Sequence, residues 1–168
     1  MTILQISSVK DFMNRLLRTD LFDCFLLSEA SIKGKCSFLI DGHIVPEFYT
    51  QEELNELALT GLSCLPFAML RENCFSLIKG KNTPSYFKFI FCLSPDNLRQ
   101  TLHSGNSSLK ETDLSGVFIN IKFQDGILTC TSGISYRTFT LDRTFEHEWD
   151  ALLCRFLTIH DISYTVLN

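Results

Sequence analysis

The most regular patterning in the chain lies between residues 116 and 133, GVFINIKFQDGILTCTSG. Apolar and polar positions alternate there with period two on both sides of Asp125-Gly126. That is the signature of two half-buried strands joined by a two-residue hairpin turn. With this turn, Phe123 faces Leu128 and Ile121 faces Cys130 on an apolar face. Lys122 faces Thr129 and Asn120 faces Thr131 on a polar one. A one-residue slip would exchange the faces, so the pattern fixes the register.

Elsewhere the period moves between two and about 3.6. Residues 2–6, TILQI, predict a short strand. SSVKDFMNRLLR then carries Val9, Phe12, Met13, Leu16 and Leu17 on one helical face, with Ser8 as N-cap. LFDCFLLSEASI and KCSFLIDGHIV read as strands, with Asp41-Gly42 as a second hairpin turn. Thr50-x-x-Glu53 has the capping-box spacing of a short helix. A second helix is expected from about Leu65 to Lys79, with Pro66 in its first turn, Gly80 as its stop, and Phe67, Leu70, Cys74 and Leu77 on one face. SYFKFIFCL is strongly β-prone, and PDNLRQTLH is a helix with Leu98 and Leu102 inward. SGNSSLKETD is a polar, mobile loop. After the regular hairpin, Ser132-Gly133 turns into a third strand, ISYRTFTL. Phe145, Trp149, Leu152, Phe156 and Ile159 mark a final amphipathic helix, and DISYTVL returns as a strand.

The fold class is therefore α+β, one compact domain over residues 1–168, built from antiparallel meanders. Residues 1–48 and 85–142 form two βαββ-type halves, each a strand, a helix of roughly ten residues and a hairpin on Asp-Gly, separated by a helical insert at 50–80. A chain of this length buries roughly 70% of its unfolded surface and needs no staples. Fifteen phenylalanines supply large buried area.

Seven cysteines, an odd number with no CxxC pair, sit mostly among apolar neighbours and behave as small buried hydrophobes. The opening MTILQISSVKD lacks the charged start and apolar run of a secretory leader. No apolar run reaches the roughly 20 residues of a membrane helix. A reducing cytoplasm and no membrane association are expected. The net charge of −4 argues against a generally basic nucleic-acid coat but leaves room for a local basic face.

Catalytic patterns are sparse. IKGKNTP, residues 78–84, lacks P-loop spacing and ends a helix, where anions are not favoured; it reads as a C-cap with solvated lysines. The four histidines form neither HxH nor HExxH. His43 beside Asp41 and Glu47 falls short of the roughly four ligands of a structural zinc site. His147 and Asp150 share a helix face, which reads as solvated. Cys74 and Cys130 lie on apolar faces, away from the electropositive setting of a nucleophile. No catalytic residue, metal or cofactor is assigned, and the balance leans away from an enzyme.

The basic residues are better placed than numerous. If the halves are related, two equivalent helices present polar, partly basic faces: Lys10, Asn14, Arg15 and Arg18 on the first, Asn97, Arg99, Gln100 and His103 on the second. Such faces suit phosphate contacts that do not read bases.

Two resemblances follow. KDFMNRLLRTDLFDCFLLSEA, IKGKNTP, FKFIFCLS, LTCTSG, FTLD and WDALLCRFL are similar to an uncharacterised bacterial family of short proteins, which implies a bacterial cytosolic protein and no particular activity. YFKFIFCLSPDNLRQTLH and GVFINIKFQDGILTCTSGISYRTFTL, within residues 86–141, resemble one module of the DNA sliding-clamp fold. That resemblance implies helices facing DNA and sheets facing outward, with Lys10, Arg15, Arg18 and Arg99 toward the duplex. The helices at 50–80, where a clamp module has another strand, depart from it. The resulting expectation is a non-catalytic, clamp-like protein that binds double-stranded DNA or replication and repair proteins, with further copies of itself as partners. The alternatives are a protein-interaction or small-ligand module without DNA binding and, third, an unrecognised enzyme.

Overall fold

The computed structural model describes residues 1–167, which form one seven-stranded sheet and five α-helices. In chain order these are β1 (Ile3–Ile6), α1 (Val9–Arg18), β2 (Leu26–Lys33), β3 (Ser37–Asp41), α2 (Gln51–Glu56), α3 (Phe67–Ile78), β4 (Tyr86–Cys92), α4 (Pro95–Ser104), β5 (Leu114–Gln124), β6 (Ile127–Tyr136), α5 (Thr144–Ile159) and β7 (Tyr164–Leu167). The spatial order is β3-β2-β4-β5-β6-β1-β7, antiparallel throughout. The α+β class is as the periodicities predict.

The β5–β6 hairpin has the expected register, with Phe123 opposite Leu128, Ile121 opposite Cys130, Lys122 opposite Thr129 and Asn120 opposite Thr131. Its turn has φ +53° at Asp125 and +78° at Gly126. Positive φ at both central residues matches the strand twist, which explains the Asp-Gly pair.

Two turns fall elsewhere than predicted. The β2–β3 hairpin reverses at Gly34–Cys36, where Lys33 pairs with Ser37, and Asp41-Gly42 is not its turn. Gly42 instead lies against the backbone of β2: a Cβ there would overlap the Leu27 carbonyl oxygen. Residues 21–25, expected to begin a strand, make turns closed by Asp23 N–H to Asp20 O and Phe25 N–H to Phe22 O. Likewise Ser132-Gly133 does not turn. β6 runs straight through both to Tyr136, and residues 137–141 form no strand. Gly133 sits opposite Phe118, whose Cβ, with the Asn120 amide, occupies the space beside it. In the first half β1 does not pair with β2; it lies between β6 and β7.

The sheet faces differ sharply. Phe87, Phe89 and Phe91 of β4, alternate residues of β5 from Val117 to Phe123, and Leu128 and Cys130 of β6 form one buried face. The helices cover it. Ser8 caps α1, accepting from Asp11 N–H, and Phe12, Leu16 and Leu17 point inward. α3 buries Phe67 and Cys74. α5 buries Phe145, Trp149, Leu153 and Leu157, and its indole N–H donates to Phe118 O at 3.1 Å. This face is rotated from the predicted one, leaving Leu152 39% and Ile159 61% exposed. The other sheet face carries Lys88 opposite Lys122, with Ser31 and Thr129 flanking them. A smaller cluster of Leu26, Cys64 and Cys92, with Leu62 and Phe118, sits on that side.

Gly42→Ala is expected to unfold at markedly lower urea than wild type, because its Cβ meets backbone that cannot move aside. Gly34→Ala, with nothing within 4 Å of the added carbon, is expected to match wild type. Phe91→Ala is expected to cost about 3–5 kcal/mol in the same experiment.

Candidate nucleic-acid interface

Because Phe12, Leu16 and Leu17 turn inward, the i, i+4, i+8 row of Lys10, Asn14 and Arg18 is left along the flank of α1. That flank faces the end of α3 and the following loop across a groove of about 490 Å³. α3 stops where Lys79 N–H returns to Phe75 O at 2.8 Å and Gly80 adopts φ +145°. The Lys79 ammonium lies over the Phe75 ring, 5.7 Å from its centre. Lys79 and Lys81 thus stand at the negative end of the helix dipole. A second cavity of about 440 Å³ adjoins the groove through Ile78–Gly80, Thr83 and Pro84, and adds Lys35 and Lys81. The two together are lined by Lys10, Arg18, Lys35, Lys79 and Lys81, with no Asp or Glu. Among the described residues, none of these five cations makes an ion pair.

The other expected residues lie apart. Arg15 is half-buried and lines neither cavity. Arg99 on α4 pairs with Asp96 and, at 3.9 Å, with Glu111. The Asn97 amide donates to Cys24 O at 3.2 Å. Asn97 and Gln100 line a separate cavity of about 530 Å³ between α4 and α5, walled by Phe25, Ile119, Trp149 and Phe156, which shares no residue with the basic groove. Lys10, Asn14 and Arg18 therefore line one cavity, and Asn97 and Gln100 another.

The remaining candidates separate clearly. Burial pushes the Cys74 and Cys130 thiols up to about 12, so neither is a thiolate at neutral pH. Asp150 accepts the Ser132 hydroxyl. The His43 ring Nδ1 lies 2.5 Å from Asp41 Oδ1, and His43 N–H donates to the same oxygen at 3.0 Å. His43 stands opposite Cys64 across an isolated antiparallel bridge, and Cys64 and Cys92 pack together with Leu26 in one small cluster. Spacing gives no sign of this last pair, because α3 separates its members in sequence. Among the described residues no cluster of three or more His, Cys, Asp or Glu could hold a metal ion, and no helix is long and apolar enough to cross a membrane.

The chain belongs to a family of unknown function (DUF5721), whose profile covers residues 15–165. That coverage runs from the middle of α1 into β7. No curated protein matches the chain, and no solved structure matches it.

The Asp41 hydrogen bond raises the His43 pKa above 6.5, while the His43 N–H lowers that of Asp41. The ion pair therefore adds stability below the unfolded histidine pKa and loses it as pH rises through the folded one. An NMR titration of the His43 ring is expected to have its midpoint above 6.5, and Asp41→Asn is expected to lower it.

Proposed function

We propose that the protein is a non-catalytic binding protein that associates with double-stranded DNA through the groove between α1 and residues 79–84. The observation that carries this reading is the carboxylate-free groove, with five unpaired cations on a chain of net charge −4. An unpaired cation loses no existing partner when a phosphate arrives, and counterion release favours the contact. Contacts of this kind position a duplex and carry no base information. The placement of every long helix on one sheet face agrees with the clamp resemblance, in which helices turn toward DNA. Replication or repair proteins and further copies of the chain are the partners such a role implies.

The test is fluorescence anisotropy with a labelled duplex of mixed sequence across a salt series. Wild type is expected to bind with log affinity falling by about 0.9 per phosphate contact against log salt. Reversing Lys10, Arg18, Lys79 and Lys81 to Glu is expected to weaken binding by about tenfold or more. Lys122→Glu, on the opposite sheet face, and Arg99→Gln are expected to bind as wild type. Absence of binding at low salt, or full affinity in the fourfold variant, overturns the proposal.

The cavity between α4 and α5 favours a second reading, a small-ligand module. Its volume falls within the usual range for ligand pockets, its wall is apolar, and Asn97, Gln100 and Thr101 supply the few polar groups such sites use. Trp149, the one tryptophan of the chain, lines it and reports occupancy. An anilinonaphthalene sulfonate probe is expected to quench Trp149 emission in wild type and to lose that effect in Leu152→Trp after correction for the added indole. Equal quenching in both would place the probe elsewhere.

A further inference from the structure

Residues 63–66 run between the start of β2 and the chain just beyond β3. Leu27 N–H donates to Leu65 O at 2.9 Å, Leu65 N–H to Gly42 O at 2.9 Å, and Ile44 N–H to Ser63 O at 3.0 Å. The last two bonds flank His43 and Cys64 on either side. Those residues therefore form a non-hydrogen-bonded antiparallel pair, the type in which side chains lie closest. Asp41 binds the imidazole through Nδ1, which leaves Nε2 as the free ring nitrogen. Cys64 packs with Leu26 and Cys92 on the sheet face away from the main helix layer. Its sulfur accepts from the Ser63 hydroxyl at 3.8 Å.

The titratable groups facing Cys64 are Cys92 from β4, and His43 and Asp41 from the end of β3. The neighbouring Cys92 thiol is the main influence lowering the Cys64 pKa to about 6; burial opposes it, while Ser63 and the positive charge of His43 add to it. The interaction with Cys64, followed by burial, pushes the Cys92 pKa up. Of the two, Cys64 is therefore the more readily deprotonated thiol. Cys64 is 2% exposed and Cys92 9%, a setting that excludes bulky electrophiles. Cys24 and Cys36, by contrast, are exposed.

We propose that Cys64 and Cys92 are a peroxide-oxidised dithiol, with Cys64 as the attacking sulfur, Cys92 as the resolving one, and His43 as the positioning and proton-donating group. The Cys64 thiolate attacks one peroxide oxygen and the O–O bond breaks. The departing hydroxide takes a proton from the His43 imidazolium and leaves as water, and Cys64 becomes a sulfenic acid. The Cys92 sulfur then attacks the Cys64 sulfur. The S–O bond breaks, the Cys92 proton goes to the leaving hydroxide, and a second water forms with the disulfide. Two thiols lose two electrons and one peroxide gains them. The cross-link would tie the segment before α3 to β4 across β2, on the side of the sheet opposite the basic groove.

The test is oxidation of the full, reduced chain with one equivalent of hydrogen peroxide at neutral pH, followed by alkylation and peptide mass spectrometry. The expected product is a Cys64–Cys92 disulfide with a mass loss of about 2 Da, formed before Cys24 or Cys36 reacts. In Cys92→Ser, Cys64 is expected to accumulate as a dimedone-reactive sulfenic acid. In His43→Asn, the rate of Cys64 oxidation is expected to fall and its pH midpoint to rise. If Cys24 and Cys36 react first while Cys64 and Cys92 are recovered as free thiols, exposure alone governs reactivity and the proposal is overturned. The wild-type order decides this even where a variant folds poorly. A Cys64 rate in His43→Asn equal to wild type at every pH overturns the role of His43.

Discussion

Three aromatic rings on one strand hold the architecture together. Phe87, Phe89 and Phe91 project from β4 onto the covered face of the sheet. Phe91 stacks on Phe22 at 5.4 Å and meets Phe67 edge-on at 4.9 Å, while Phe87 stacks on Phe123 at 4.9 Å. Phe22 passes the contact on to Phe12 of α1 and Phe156 of α5. Each such pair contributes about 0.5–1.5 kcal/mol beyond its buried area and prefers a limited set of geometries. The network therefore sets helix orientation as well as adding stability. The inward pull on Phe12 leaves Lys10, Asn14 and Arg18 on the flank of α1, and the seat of Phe67 directs the far end of α3 toward them.

The two sides of the sheet consequently carry different chemistry. Above it, closely packed helices leave grooves whose character depends on which side chains are left over. Between α1 and the end of α3 those are cations; between α4 and α5 they are apolar groups with a few amides and hydroxyls. Below it, the chain from His43 to Leu65 crosses part of an otherwise polar face. There it brings two cysteines and a histidine into a small apolar cluster. The segment between α2 and α3 thus supplies Leu62 and Cys64 to the thiol cluster.

Local information made much of this legible in the sequence. The β5–β6 register follows from alternation and a turn whose members are adjacent in the chain. The α1 face follows from a period that places Lys10, Asn14 and Arg18 together whatever else the fold does. Glycine was harder to interpret. At Gly126 it supplies a positive φ, which neighbouring residues reveal. At Gly42 it supplies the absence of a Cβ against Leu27, which only tertiary structure reveals. The α5 helix was visible, but its buried stripe was not, because Leu152 and Leu153 are both apolar and only packing distinguishes them. The joining of Lys35, Lys79 and Lys81 to the α1 flank and the meeting of Cys64 with Cys92 depend on tertiary arrangement, which periodicity does not encode, and the pairing of Arg99 with Glu111 depends on the path of the loop after α4.

The position of β1 bears on how the chain comes to its structure at all. Ile3 pairs with Thr131 on one side and Leu167 on the other. A ribosome delivers β1 well before either of its two hydrogen-bonding neighbours, β6 and β7. Until then its backbone groups and the apolar Leu4 and Ile6 have no native seat. β2, β4, β5 and β6 can zip in sequence order, but closure around β1 spans nearly the whole chain. Such long-range contacts raise the contact order and slow the final step. The nascent protein thus has a period in which most of the sheet exists and its opening strand waits, a state in which holding by a chaperone would matter more than for a fold assembled from the N-terminus forward.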